Sequence, residues 1–128
     1  MRNYLLILVA SAVTCLVISQ LPYGWALDAI GLLLGVIAAI YIGFAISDGR
    51  KHVIVLEIAV ASVFILLALL GMWGKPVWLV IGYFAHGGWD LLHHPGKLGT
   101  KVRKWYPPVC AVYDWLVGLY LLYWLGWI

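Results

Sequence analysis

Charge is what this chain has least of. Only 10% of its 128 residues are charged, five acids against eight lysines and arginines. Soluble domains carry about 25%, so a water-exposed globule is excluded. Disorder is excluded too, because 66% of the residues are hydrophobic and mean hydropathy is +1.04. Two cysteines, Cys15 and Cys110, are too few for a disulfide scaffold. Strict alternation of apolar and polar residues is missing, which excludes a membrane β-barrel. At about 20 residues per crossing, a chain of 128 leaves no room for a soluble domain. Any chemistry must therefore sit inside a helix bundle or at its surface. No nucleic-acid partner is expected.

What is present is a series of five apolar runs. The expected fold is an all-α, five-helix transmembrane bundle forming one domain over 1–128, with helices about 4–20, 26–47, 52–73, 77–94 and 108–128. Leu21-Pro22-Tyr23-Gly24, Asp48-Gly49-Arg50-Lys51, Gly74-Lys75-Pro76 and Pro95-Gly96 punctuate them, and a basic loop leads to Pro107-Pro108. The first run lacks a good cleavage site and reads as a true span, not a signal peptide. Arg2, Arg50, Lys51, Lys97, Lys101, Arg103 and Lys104 would share one side, with only Lys75 on the other. That bias predicts the N-terminus inside and the C-terminus outside, in the inner (cytoplasmic) membrane of a bacterium.

Two features are read as packing. Gly31, Gly35, Ala39 and Gly43 recur every four residues and let another helix approach closely, within the monomer or in a homodimer. Cys15 and Cys110 read as small apolar residues.

The ionisable residues inside the runs are costly in hydrocarbon and mark function by default. The densest stretch is Tyr83 to His94. On a helix turning about 100° per residue, with His86 at zero, Asp90 falls near +40°, His93 near −20°, His94 near +80° and Tyr83 near +60°. Three histidines and an aspartate thus share one face. Depth gives a second argument. Glu57, Asp90 and Asp114 each lie ~7–9 Å in from the end of their helix, His86 ~13 Å, and Tyr41 ~10 Å above Asp48. Four helices place polar groups in one layer of the inner half, and Asp28 alone among the acids lies at the outer end.

Imidazoles and several carboxylates in a dry pocket suit one or two divalent ions such as zinc, iron or manganese. The expected ligands are His86, Asp90, His93, His94, Glu57 and Asp114. Asp48 and Tyr41 would hold those ligands from behind. Glu57 or Asp114 would act as general base. Lys97, Lys101, Arg103 and Lys104 would either hold an anionic lipid headgroup or serve only as a positive-inside anchor. His52, beside Lys51, reads as an interfacial residue.

The runs Tyr41-Ile42-Gly43-Phe44-Ala45 with Asp48-Gly49-Arg50, His86-Gly87-Gly88-Trp89-Asp90-Leu91-Leu92-His93-His94-Pro95, and Trp105-Tyr106-Pro107-Pro108 with Cys110 and Asp114 resemble a family of small, uncharacterised bacterial integral membrane proteins. The resemblance implies a multi-span inner-membrane protein and brings no activity. Through His93-His94 there is a weaker likeness to the histidine-motif membrane hydroxylases and desaturases, which carry several histidine boxes where this chain has one cluster.

Three function classes follow. The first is a metal-dependent intramembrane enzyme that oxidises or hydrolyses a lipid-like or apolar substrate from the cytoplasmic leaflet. The second is a pigment- or haem-binding or accessory subunit of a larger membrane complex. The third is a small proton-coupled carrier.

Overall fold

A computed structural model describes residues 2–93 and 98–128. Among these residues the fold is entirely helical, with five helices: α1 (Arg2–Gln20), α2 (Tyr23–Asp48), α3 (Lys51–Trp73), α4 (Val77–Leu92) and α5 (Tyr106–Trp124). Three of them, α1, α2 and α3, are long and apolar enough to cross a membrane. The fourth has 16 residues and, at 1.5 Å per residue, is about 24 Å long.

Local chemistry sets the helix ends. Pro22 stands at the N-cap of α2, so the helix starts at Tyr23, three residues before the expected start at 26. Tyr106 opens α5, with Pro107 and Pro108 in its first turn, where backbone amides have no intrahelical partner. Gly49 ends α2 in the left-handed region at φ 77°, its N–H donating to the carbonyl of Ala45. A side chain there would be strained, so the glycine makes the sharp reversal into α3.

The packing pairs α2 with α3 and α4 with α5, and α3 lies against α4. The first helix leans on α5 and touches α2 only lightly. Its outer faces leave Leu5, Leu6, Val9, Val13 and Leu16 about half exposed or more. On α2, the space a Cβ would take at Gly31 is filled by Met72 of α3, and Gly35 faces Ile65. The small-residue row therefore packs, in part, against a helix of the same chain, while Gly43 meets only open space.

The interior divides along the bundle axis. One end is apolar, built on Ile18, Ile30, Leu34, Leu79, Val117 and Leu121. Tyr83 marks its limit and donates its hydroxyl to the carbonyl of Ile30 at 2.9 Å. Beyond it, towards the α2–α3 turn and the start of α5, lie the buried polar residues Glu57, His86, Asp90, His93, Thr100 and Asp114.

Candidate metal centre

The site begins with one face of α4. His86, Asp90 and His93 follow at spacings of four and three, so all three turn inward and are at most 2% exposed. Leu91 and Leu92, which a helix must aim elsewhere, are exposed. Two glycines assist. A Cβ at Gly87 would collide with the indole of Trp115, and one at Gly118 would press on Phe84, so α4 and α5 approach closely. That approach brings Asp114 of α5 to His86.

His86 Nδ1 and Asp114 Oδ2 stand 2.6 Å apart. The same nitrogen is 3.7 Å from Asp90 Oδ2. Asp90 Oδ1 accepts the hydroxyl of Tyr41 at 2.6 Å, but Asp90 Oδ2 has no hydrogen-bond partner and is fully buried. Nε2 of His86 is likewise unpartnered. Buried polar atoms without partners are rare because each forfeits its hydration. His86, Asp90 and Asp114 each offer one ligand atom within 4.8 Å of the others, and this buried group could hold a metal ion. A tetrahedral ion with bonds of ~2.0–2.2 Å needs its ligand atoms about 3.4 Å apart. The 3.7 Å spacing already suits that, and the 2.6 Å contact needs to open by less than an ångström once its shared proton is released.

The three residues face a cavity of about 250 Å³. Its polar wall carries His86, Asp90 and Asp114, and Tyr41, Tyr106, Cys110 and Tyr113 lie around it. Ile7 of α1 and Leu33 and Ile37 of α2 form an aliphatic wall. The aliphatic side is the side where α1 and α2 barely meet.

A family model described as a family of unknown function, DUF6010, matches residues 2–126. The chain belongs to the DUF6010 family. No curated protein and no solved structure matches it.

In this DUF6010 chain a second polar group lies beside the first. His93 Nδ1 donates to the carbonyl of Trp89 at 3.0 Å, which leaves Nε2 to face Glu57 Oε1 at 2.8 Å. Glu57 Oε1 also accepts the backbone N–H of Thr100 at 2.9 Å. One proton must lie between the imidazole and the carboxylate, because two bare lone pairs would repel. Gly99, at φ 74°, lies directly over the pair: a Cβ there would run into both His93 Nε2 and Glu57 Oε1. Arg50 clamps the loop from outside, donating to the Gly99 carbonyl at 3.2 Å and pairing with Asp48.

Tyr41 joins the two groups. Its ring stacks on His93 with centroids 4.3 Å apart while its hydroxyl holds Asp90. Phe64 closes the far side of His86, edge-on at 4.8 Å.

The sequence-derived residues thus separate into two sets. His86, Asp90 and Asp114 come together, with Tyr41 behind Asp90 as expected. Glu57 and His93, expected among the same ligands, bind each other instead and do not line the cavity. Asp48, expected to accept from a histidine, is engaged by Arg50. Lys101, Arg103 and Lys104 are exposed. His94 and Lys97 lie outside the described residues. Sequence reasoning missed Arg50, Gly99 and Thr100 as parts of the polar layer. Gly99 carried the one usable signal, a glycine placed where a loop must pass close to a histidine-bearing helix end.

Proposed function

We propose that this chain is a metal-dependent enzyme of the cytoplasmic membrane that acts on a lipid-like or apolar substrate. The observation that carries this reading is the buried cluster of His86, Asp90 and Asp114, in which Asp90 Oδ2 has no donor and lies 3.7 Å from His86 Nδ1. A divalent cation at that point compensates two carboxylates that would otherwise have to share protons. One imidazole and two carboxylates suit zinc, iron or manganese and leave coordination positions free on the cavity side.

The membrane setting is supported by three apolar helices of spanning length and by the aliphatic outer face of α1. A contiguous apolar face of that size is unfavourable in water and favourable in hydrocarbon. If all five helices cross, the basic bias puts the N-terminus inside and the polar layer in the inner half. The cavity's aliphatic wall at the loose α1–α2 contact supports lateral entry from the inner leaflet.

A bound divalent ion would supply Lewis acidity towards water or a substrate oxygen, or redox chemistry if it is iron or manganese. The chain's own residues do the rest. Tyr41 fixes one oxygen of Asp90 so that the other points inward. The proton now shared by His86 and Asp114 would leave on metal binding, so that both groups become ligands. Ile7, Leu33 and Ile37 keep bulk water out of the reaction space.

The test uses full-length protein in nanodiscs, incubated with a bacterial lipid extract with and without a chelator. Mass spectrometry should show a lipid converted only in the metal-replete sample. Incorporation of oxygen from labelled water identifies hydrolysis, and consumption of dissolved oxygen identifies oxidation. Turnover that persists in Asp114→Asn after chelation contradicts the assignment.

A further inference from the structure

A second hollow opens beside the metal-centre cavity. It also measures about 250 Å³ and is lined by Phe44, Arg103, Trp105 and Tyr106. Tyr106, with its phenol ring, is the lining residue that the two spaces share. That ring is held edge-on by Phe44 at 5.3 Å and by Trp105 at 5.8 Å. The outer hollow is thus an aromatic cup with one guanidinium, and the inner one is aliphatic with a polar end.

The charges at this end of the bundle are unbalanced in a particular way. The chain has five acids: Asp28, Asp48, Glu57, Asp90 and Asp114. Asp48 is paired with Arg50, Glu57 with His93, and Asp114 with His86, while Asp90 is held by Tyr41. Asp28 lies twenty positions before Asp48 on the same helix, about 30 Å away. No carboxylate of the described residues pairs with Arg103. Arg103 therefore has no acid of this chain to pair with and is free to meet an anion from outside. Arg103 is also the basic residue placed in an aromatic cup, where its flat guanidinium can engage a carboxylate or phosphate through two parallel N–H donors.

We infer that the two hollows form one binding track for an anionic amphiphile, its headgroup on Arg103 and its chain passing Tyr106 into the cavity lined by Ile37 and Leu33. The inference rests on the proposed reading of the cavity as a substrate site, and it adds the charge class of the substrate and the residue that reads it. Lys101 and Lys104 lie outside this cup and contribute only to the general surface potential. A track of this kind presents the portion of the amphiphile next to its headgroup to His86, Asp90 and Asp114.

The experiment uses the detergent-solubilised full chain, with oleate as the probe and oleyl alcohol as its uncharged counterpart of equal length. Native mass spectrometry titrations give both affinities. One basic residue at a membrane surface adds about 1 kcal/mol, so oleate should bind at least about fivefold more tightly than the alcohol. Arg103→Gln should bring that ratio close to one, and Lys104→Gln, with the same change in net charge, should leave it in place. Ile37→Trp, which fills the inner cavity, should weaken both ligands together. Equal affinities in the parent protein overturn the inference, as does an equal loss of preference in the Lys104 and Arg103 variants. Full binding by Ile37→Trp overturns the path of the chain. Metal content is measured on the same samples: preference for oleate in protein that takes up no metal keeps the track and rejects the metal reading. Metal uptake without that preference does the reverse.

Discussion

The hydroxyl of Tyr41 lies 2.6 Å from Asp90 Oδ1, from the neighbouring helix α2, and it decides which oxygen of that carboxylate faces the cavity. The ring of the same tyrosine rests on His93, which Glu57 holds, which the Thr100 amide holds in turn. A surface loop is therefore connected to a buried carboxylate through stacked and hydrogen-bonded groups. The geometry of the candidate site depends on residues that never reach the cavity.

Tyr41→Phe should remove the bond to Asp90 and leave a buried carboxylate oxygen without a donor. Such a loss costs about 1–3 kcal/mol, and a group that orients a metal ligand typically changes affinity by ~10–100-fold. Thermal unfolding of the purified variant and competitive metal titration check the two effects. An unchanged metal affinity would mean that Asp90 is oriented by something else.

Gly99→Ala should destabilise the protein, by more than about 1 kcal/mol. The residue sits at φ 74°, and its new methyl would enter the space of His93 Nε2 and Glu57 Oε1. The loop must lift, so a cysteine placed at position 100 should become reactive to a water-soluble maleimide in this variant and stay protected in its absence.

Glu57→Gln and Glu57→Ala should differ. The amide can still accept from Thr100 and can pair with a neutral His93, whereas alanine leaves both without a partner. Metal stoichiometry should survive in Glu57→Gln, because Glu57 stands with His93 and outside the cavity. Loss of metal in the glutamine variant would return Glu57 to the ligand set.

Topology offers an independent check. A reporter active only in the cytoplasm should be silent when fused after Ile128 and active when fused before Met1, because seven of the eight basic residues would share the N-terminal side in the proposed five-span arrangement. Cytoplasmic activity at the C-terminal fusion would require an even number of crossings.

The sequence carried the inward face of α4, because helical geometry alone puts His86, Asp90 and His93 on one stripe and Leu91 and Leu92 off it. It also carried the common layer, since depth along a helix is simple counting from its end. Counting does not give rotation, however. Glu57 and Asp114 lie at similar depth, yet α3 turns its carboxylate to His93 and α5 turns its own to His86. That choice depends on how closely α4 and α5 approach at Gly87 and Gly118, which no single-helix pattern encodes. The Gly99-Thr100 contacts were hidden for another reason: loop backbone has no periodicity, and a backbone amide donor has no signature in residue type.

The central claim is that His86, Asp90 and Asp114 hold a divalent ion, and elemental analysis of the purified full chain tests it most directly. Wild-type protein, purified without chelator or after loading with zinc, iron or manganese, should carry one tightly held ion per chain. His86→Ala and Asp90→Ala should carry none, and Lys101→Gln should match wild type. Wild-type protein that holds no metal after loading with each of the three, or His86→Ala that retains a full complement, would contradict the account.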